Sequence, residues 1–169
     1  FVYTFLGSLF MLIGLIMLYF KAGGSFAWED FIKLNLMPRE EMWIFLTLAL
    51  AFAIKMPLFP FHTWQPDTYE QSPTPVTMIL SAIMAKMGVF GLLRWLAPVV
   101  PAATYQWGDN FATLAVVGML YASFVALRQD DLKRLVAYSS IAHIGLMILA
   151  VFAPSYSGIQ GVMIQMFNH

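Results

Sequence analysis

Four side chains in this sequence are singled out as candidates to take up and release protons: Lys55, Lys86, His143 and His169. Lys86 lies in "ILSAIMAKMGVFGLLRW", ten residues from Val76 and eleven from Ala97. On a helix it is about 15 Å from either end, beyond the ~6 Å over which a lysine side chain can snorkel to a polar boundary. Holding a cation there costs roughly 2.5–3.5 kcal/mol. A structural lysine satisfied by a buried carboxylate or carbonyl is one reading. A proton- or ion-handling lysine is the stronger one, because burial penalises the ammonium and lets it trade its proton near neutral pH. Lys55 lies in "AFAIKMPLFPFHTWQPD", followed by Pro57 and Pro60. Neither proline has an N–H, so the carbonyls of Ala53 and Met56 lose their helical donors and the helix is predicted to break at the lysine. Broken helices at membrane depth line cavities and build ion sites. A plain proline kink beside an interfacial lysine is the alternative. His143 is the ninth residue of "LVAYSSIAHIGLMILAVFA", with Ser139 one turn back on the same face, where the two could share a water. A packed, hydrogen-bonded histidine is an equally good reading of His143 alone. His169 ends the chain in "IQMFNH".

These side chains need an apolar scaffold, and the composition supplies one. Of 169 residues, 60% are hydrophobic and 11% charged, against roughly 25% charged in a soluble domain. Five apolar stretches are read as membrane-spanning helices: residues 1–20, 42–61, 76–97, 110–127 and 135–153. A sixth, shorter stretch starts near Ser157. Each full stretch is long enough for a ~30 Å hydrocarbon core, and in lipid a lone span satisfies its backbone only as a helix. The expected fold is therefore an all-α polytopic transmembrane bundle with one discontinuous helix, a single membrane domain over residues 1–169. Trp43 and Trp107 are placed at helix starts and Trp64 and Trp95 at helix ends, where indoles meet headgroups. Residues 21–41 read as an interfacial segment. The short loop "RQDDLKR" carries Arg128, Lys133 and Arg134 close together, which places it in the cytoplasm.

Other chemistries are poorly served. The net charge is zero, so nothing points to nucleic acid. With no cysteine there are no thiolate-bound clusters and no disulfides. Neither a phosphate-cradling glycine loop, a metal-spaced histidine pair nor a nucleophile–base set can be found, so no metal or cofactor is expected in this chain. No acidic residue is expected inside any helix. The chain opens at Phe1 within an apolar run and stops soon after Ser157, so the sequence reads as a fragment of a longer membrane protein.

Taken in order, "FAIKMPLFPFHTWQPD", "MILSAIMAKMGVFGLLRW", "LRQDDLKRLVAYSSIAHIG" and "GVMIQMFNH" resemble the antiporter-like membrane subunits of respiratory complex I, the proton-pumping NADH–quinone oxidoreductase. The M type is the best match, and the spacing of 31 from Lys55 to Lys86 is part of it. The resemblance covers the whole chain. It implies helices six to eleven of a fourteen-helix subunit that translocates protons without redox chemistry of its own. NADH, FMN, iron–sulfur clusters and quinone would then belong to other subunits. It further implies that Lys55 is the pumping lysine on the discontinuous helix, that Lys86 is the connecting lysine, and that His143 and His169 continue a hydrophilic axis along the midplane. Trp64 and Pro66 match motif positions after the break. The implied partners are neighbouring antiporter-like subunits L and N, and the implied location is a bacterial inner membrane. Where the family commonly has histidine and glutamate, this chain has Tyr69 and Gln71. The alternative is an N-type subunit or a subunit of a multisubunit sodium/proton antiporter. A structural scaffold, with polar groups merely fixing helix register, is the rival outside transport.

Overall fold

A computed structural model describes residues 2–153 and 155–169. Phe1, the first residue of the first predicted span, lies outside them. Helix α1 is Val2–Lys21, α2 is Trp28–Phe31 and α3 is Pro38–Lys55. Then come α4 at Trp64–Gln71, α5 at Thr74–Val99, α6 at Pro101–Ala126, α7 at Leu132–Phe152 and α8 at Tyr156–Asn168. No strand occurs among the described residues. Four helices, α1, α5, α6 and α7, are long and apolar enough to cross a bilayer. The fifth expected crossing is divided between α3 and α4.

Several predicted boundaries move. Residues 42–61 are not one helix, because α3 ends at Lys55. The stretch "WQPDTYEQ", which lies between two predicted spans, is helix α4. Its Pro66 falls in the first turn, where no intrahelical N–H is required, and Trp64 starts a helix rather than ending one. Helix α6 begins at Pro101 rather than Asn110: proline suits a first helical position, and the turn's polar Asp109 and Asn110 do not interrupt it. Trp107 accordingly lies two turns inside. Of the residues read as interfacial, Lys21 ends α1, residues 38–41 open α3, and Trp28–Phe31 form α2 between them. Gly23 and Gly24 precede α2 at φ of 68° and 93°, left-handed values that favour glycine.

The expectation of no acidic residue in a helix fails at α2, α3, α4 and α6. Glu41, in the first turn of α3, is only 8% exposed. Its Oε1 accepts from the amides of Ala102 and Ala103 at 2.7 and 3.1 Å. A carboxylate at the N-terminus of α6 satisfies two end donors and opposes the helix dipole. Close by, Lys21 donates to Glu40 at 2.5 Å and holds that carboxyl below its ordinary range. Trp28 donates its indole N–H to the Arg94 carbonyl at 3.1 Å, and the Arg94 guanidinium stands 4.1 Å over the same ring. This ties the segment after α1 to the end of α5.

Packing inside the bundle relies on small residues at crossings, as in membranes generally. A Cβ on Gly14 of α1 would come within 2.6 Å of Thr47 Oγ1, and one on Gly145 of α7 within 2.9 Å of the Ala115 carbonyl. Between these crossings Phe45, Leu48, Val89, Leu92, Ile144 and Ile148 are fully enclosed. At the other membrane face, Arg134 Nη1 reaches Asp67 at 3.2 Å and Glu70 at 2.6 Å. Lys133 donates to the Ser72 carbonyl at 2.8 Å. The basic start of α7 thereby holds the C-terminal end of α4, a favourable end for cations.

Candidate proton-handling site

Lys55 is the last residue of α3. Pro57 has no N–H, and the next donor, Leu58 N–H, goes to the Ala53 carbonyl at 2.9 Å. That takes the acceptor predicted to be stripped and frees the Ile54 carbonyl instead. The Trp64 indole N–H fills this place at 2.9 Å, so the first residue of α4 caps the end of α3 across the break. The Phe59–Pro60 bond within the break is cis. Lys55 itself is half-buried, and no carbonyl or carboxylate among the described residues accepts from it. Its side chain lines a cavity of about 330 Å³ with Thr4 and Ser8 of α1, Trp64 and Thr68 of α4, and Leu80 and Met84 of α5. A smaller cavity, about 130 Å³, joins it to Met87 and Gly88. Gly88 is what lets α5 reach the break: a Cβ there would sit 2.8 Å from Met56 Cβ and 3.1 Å from its amide nitrogen.

Lys86 is 6% exposed. Just before it α5 widens into a π-helical turn, Leu80–Met84, closed by Ala85 N–H on the Leu80 carbonyl. Such turns inside α-helices are frequent at functional sites. The next carbonyl, that of Ser81, accepts from Lys86 Nζ at 2.7 Å. The second neighbour of Nζ is His169 Nδ1 at 3.4 Å, brought by α8. His169 in turn packs on His143 of α7, ring centroids 4.9 Å apart and planes at 79°. His143 Nδ1 lies 3.3 Å from Gln165 Nε2. The direct polar neighbour of His143 is thus Gln165, on the adjacent helix α8.

Three of the four predicted residues thus form one run, Lys86–His169–His143, carried by α5, α8 and α7. Lys55 stands outside it and borders the same stretch of α5 through Met84, Met87 and Gly88. The arrangement brings an amine, two imidazoles and an amide together, with polar contacts at Lys86–His169 and Gln165–His143 and the two rings joined by edge-to-face packing; these are groups able to hold a proton.

Sequence reasoning missed a second polar group, on the inner face of α4 and the break before it. His62, Gln65 and Tyr69 are all buried. Gln65 Nε2 donates to the Tyr69 hydroxyl at 2.7 Å, while Gln65 Oε1 and His62 Nδ1 have no hydrogen-bond partner among the described residues. His62 is enclosed by Phe59 and Tyr121, at centroid distances of 5.5 and 5.2 Å. Their spacing of three and then four residues is a helical face, a signal hidden because the stretch lies between two predicted spans. Gln165, four residues before His169, carried the same kind of signal.

Comparison with known proteins places this geometry. The family described as "NADH:quinone oxidoreductase/Mrp antiporter, TM" matches residues 1–169. A NADH-quinone oxidoreductase subunit M of Rickettsia prowazekii is 41% identical over 171 residues, covering all of this chain and 35% of that protein. A chain of respiratory complex I from Thermus thermophilus superposes with a TM-score of 0.89 at 34% identity, over 96% of this chain and 35% of that one. A chain of the Mrp complex from a Dietzia species gives 0.82 at 25% identity, over 98% and 18%. The chain spans about a third of the length of the curated relatives it matches. With four membrane-length helices, a lysine-bearing helix break and a family match from end to end, this multi-pass chain belongs to the NADH:quinone oxidoreductase/Mrp antiporter transmembrane family.

Proposed function

We propose that this chain is the central part of a proton-translocating, M-type membrane-arm subunit of an NADH:quinone oxidoreductase. The observation that carries the reading is the polar run Lys86–His169–His143, held between membrane-length helices beside a helix break that ends on Lys55. Lys55 at the break loads from one membrane face. Lys86 receives the resulting change in charge along α5 and passes protons to the imidazoles. Like charges a few ångströms apart in low dielectric repel strongly, so protonating one member of the row favours deprotonating the next. Quinone reduction elsewhere in the complex supplies the initial change in charge. The chain is a non-redox part of that translocase, and NADH, FMN, iron–sulfur clusters and quinone belong to other subunits. Antiporter-like subunits L and N are its neighbours and the bacterial inner membrane its location.

Lys55→Ala in the full-length subunit within its complex tests the reading. NADH-driven proton uptake by inside-out vesicles is expected to fall about tenfold or more, the scale of losing a proton-transfer group. Uptake at the wild-type rate would remove Lys55 from the mechanism. The likeness to the Mrp complex favours a second reading, a subunit of a sodium/proton antiporter. NADH-independent exchange of sodium for protons in the same vesicles would select it.

A further inference from the structure

Tyr69, on the inner face of α4, is fully enclosed, so its hydroxyl needs partners within the protein. The hydroxyl oxygen accepts from Gln65 Nε2 at 2.7 Å, which leaves the O–H to donate. Its side-chain partner on α5 is Ser81. One turn earlier on α5, Thr77 Oγ1 donates to the Tyr69 main-chain carbonyl at 3.3 Å, a hydrogen it shares with the Pro73 carbonyl at 3.4 Å. Tyr69 thus meets α5 through both its main chain and its side chain. Ser81 is the second residue of the π-helical turn Leu80–Met84. Its carbonyl accepts from Lys86 Nζ at 2.7 Å. The usual α-helical donor to that carbonyl is Ala85 N–H, and this donor goes to Leu80 instead. One serine therefore joins Tyr69, through its hydroxyl, to Lys86, through its carbonyl.

We propose that Tyr69 is a positioning residue for Lys86: its hydroxyl holds the π turn open and so keeps the Ser81 carbonyl on the amine. A serine within a helix otherwise turns its hydroxyl back on the carbonyl four residues earlier, here that of Thr77. With the Tyr69 O–H removed, Ser81 makes this local bond and the turn closes to α geometry. Ala85 N–H then takes the Ser81 carbonyl, and Lys86 Nζ loses the shorter of its two contacts. The longer one, to His169 Nδ1 at 3.4 Å, does not fix the amine alone. Transfer depends on reacting groups being held close to one geometry, so an amine that wanders transfers less often. The support comes from outside α5, since Arg134 of α7 holds α4 through Asp67 and Glu70. Tyr69 touches Ser81 rather than the amine, and in this role it neither gains nor loses a proton.

The inference rests on the proton-translocation reading above. Its test compares NADH-driven proton uptake, normalised to assembled complex, for Tyr69→Phe, Ser81→Ala, their double variant, Ser81→Thr and Lys86→Ala in the full-length subunit. Tyr69→Phe and Ser81→Ala are each expected to slow uptake about fivefold, the scale of one hydrogen bond. The double variant is expected to be no slower than the slower single, since residues acting through one contact are non-additive. Ser81→Thr keeps a hydroxyl and is expected to run near the wild-type rate. A wild-type rate in Tyr69→Phe or in Ser81→Ala, with Lys86→Ala defective, overturns the inference and leaves the parent reading standing. Losses that multiply in the double variant overturn it as well, because they give Tyr69 an effect that does not pass through Ser81. Should Tyr69→Phe reduce the amount assembled, the two Ser81 variants decide. A slow alanine variant beside a threonine variant near wild type is expected, and equal rates overturn the inference. A wild-type rate in Lys86→Ala removes Lys86 from the mechanism, and this inference with it.

Discussion

A lysine ammonium far from water must find acceptors, and Lys86 finds the Ser81 carbonyl at 2.7 Å and the His169 imidazole at 3.4 Å. The proposed role requires the amine to give up its proton. Arginine keeps the charge and the reach but is never deprotonated in proteins. Lys86→Arg is therefore expected to lower NADH-driven proton uptake about as far as Lys86→Ala, tenfold or more. An arginine variant near the wild-type rate would mean that a fixed charge suffices. The need for partners at Lys86 was legible from its depth in an unbroken apolar run. Their identity was not. The Ser81 carbonyl becomes available through a π turn built from ordinary helix formers, "LSAIM", and His169 lies 83 positions away in sequence. At Lys55 the missing N–H of Pro57 foretold the break. That Leu58 N–H would move to Ala53, leaving Ile54 for the Trp64 indole, depended on how the chain re-enters helix.

At the scale of elements, the break works because α5 lies directly against it. A Cβ on Gly88 would meet the Cβ and amide nitrogen of Met56 at 2.8 and 3.1 Å, atoms that cannot swing aside as a side-chain tip could. Gly91 faces the Phe52 ring, which can turn. Gly88→Val is accordingly expected to cost about 1–3 kcal/mol and to reduce assembled subunit, measured by thermal inactivation of the detergent-solubilised complex. Gly91→Ala should be milder. Equal effects would mean that α5 has room to move at the break. Hydrophobic run length found α1, α5 and α7 within a few residues. It failed at α4, whose "WQPDTYEQ" has the composition of a loop. This helix is held by its surroundings: Arg134 on Asp67 and Glu70, Lys133 on the Ser72 carbonyl, and the buried pair Gln65–Tyr69. Each contact joins residues far apart in sequence or on a face that a loop does not have.

At the scale of the molecule, two groups of titratable side chains flank one helix. Lys55 reaches α5 from the break through cavities that include Met84 and Gly88, and the row of imidazoles meets α5 at Lys86. Lys86 is buried, where a charge arriving nearby is felt more strongly than it would be in water. A structural scaffold and a proton conductor differ in one respect. A scaffold tolerates replacement of both lysines by methionine, which matches their length and removes the cost of burying charge, whereas a conductor loses its carriers. The direct measurement is proton uptake in proteoliposomes holding the purified complex with Lys55→Met and Lys86→Met together, driven by NADH and read with a pH-sensitive dye. The expected result is a fall in uptake of about tenfold or more in a complex that assembles normally. Uptake at the wild-type rate would contradict proton transfer through these two amines.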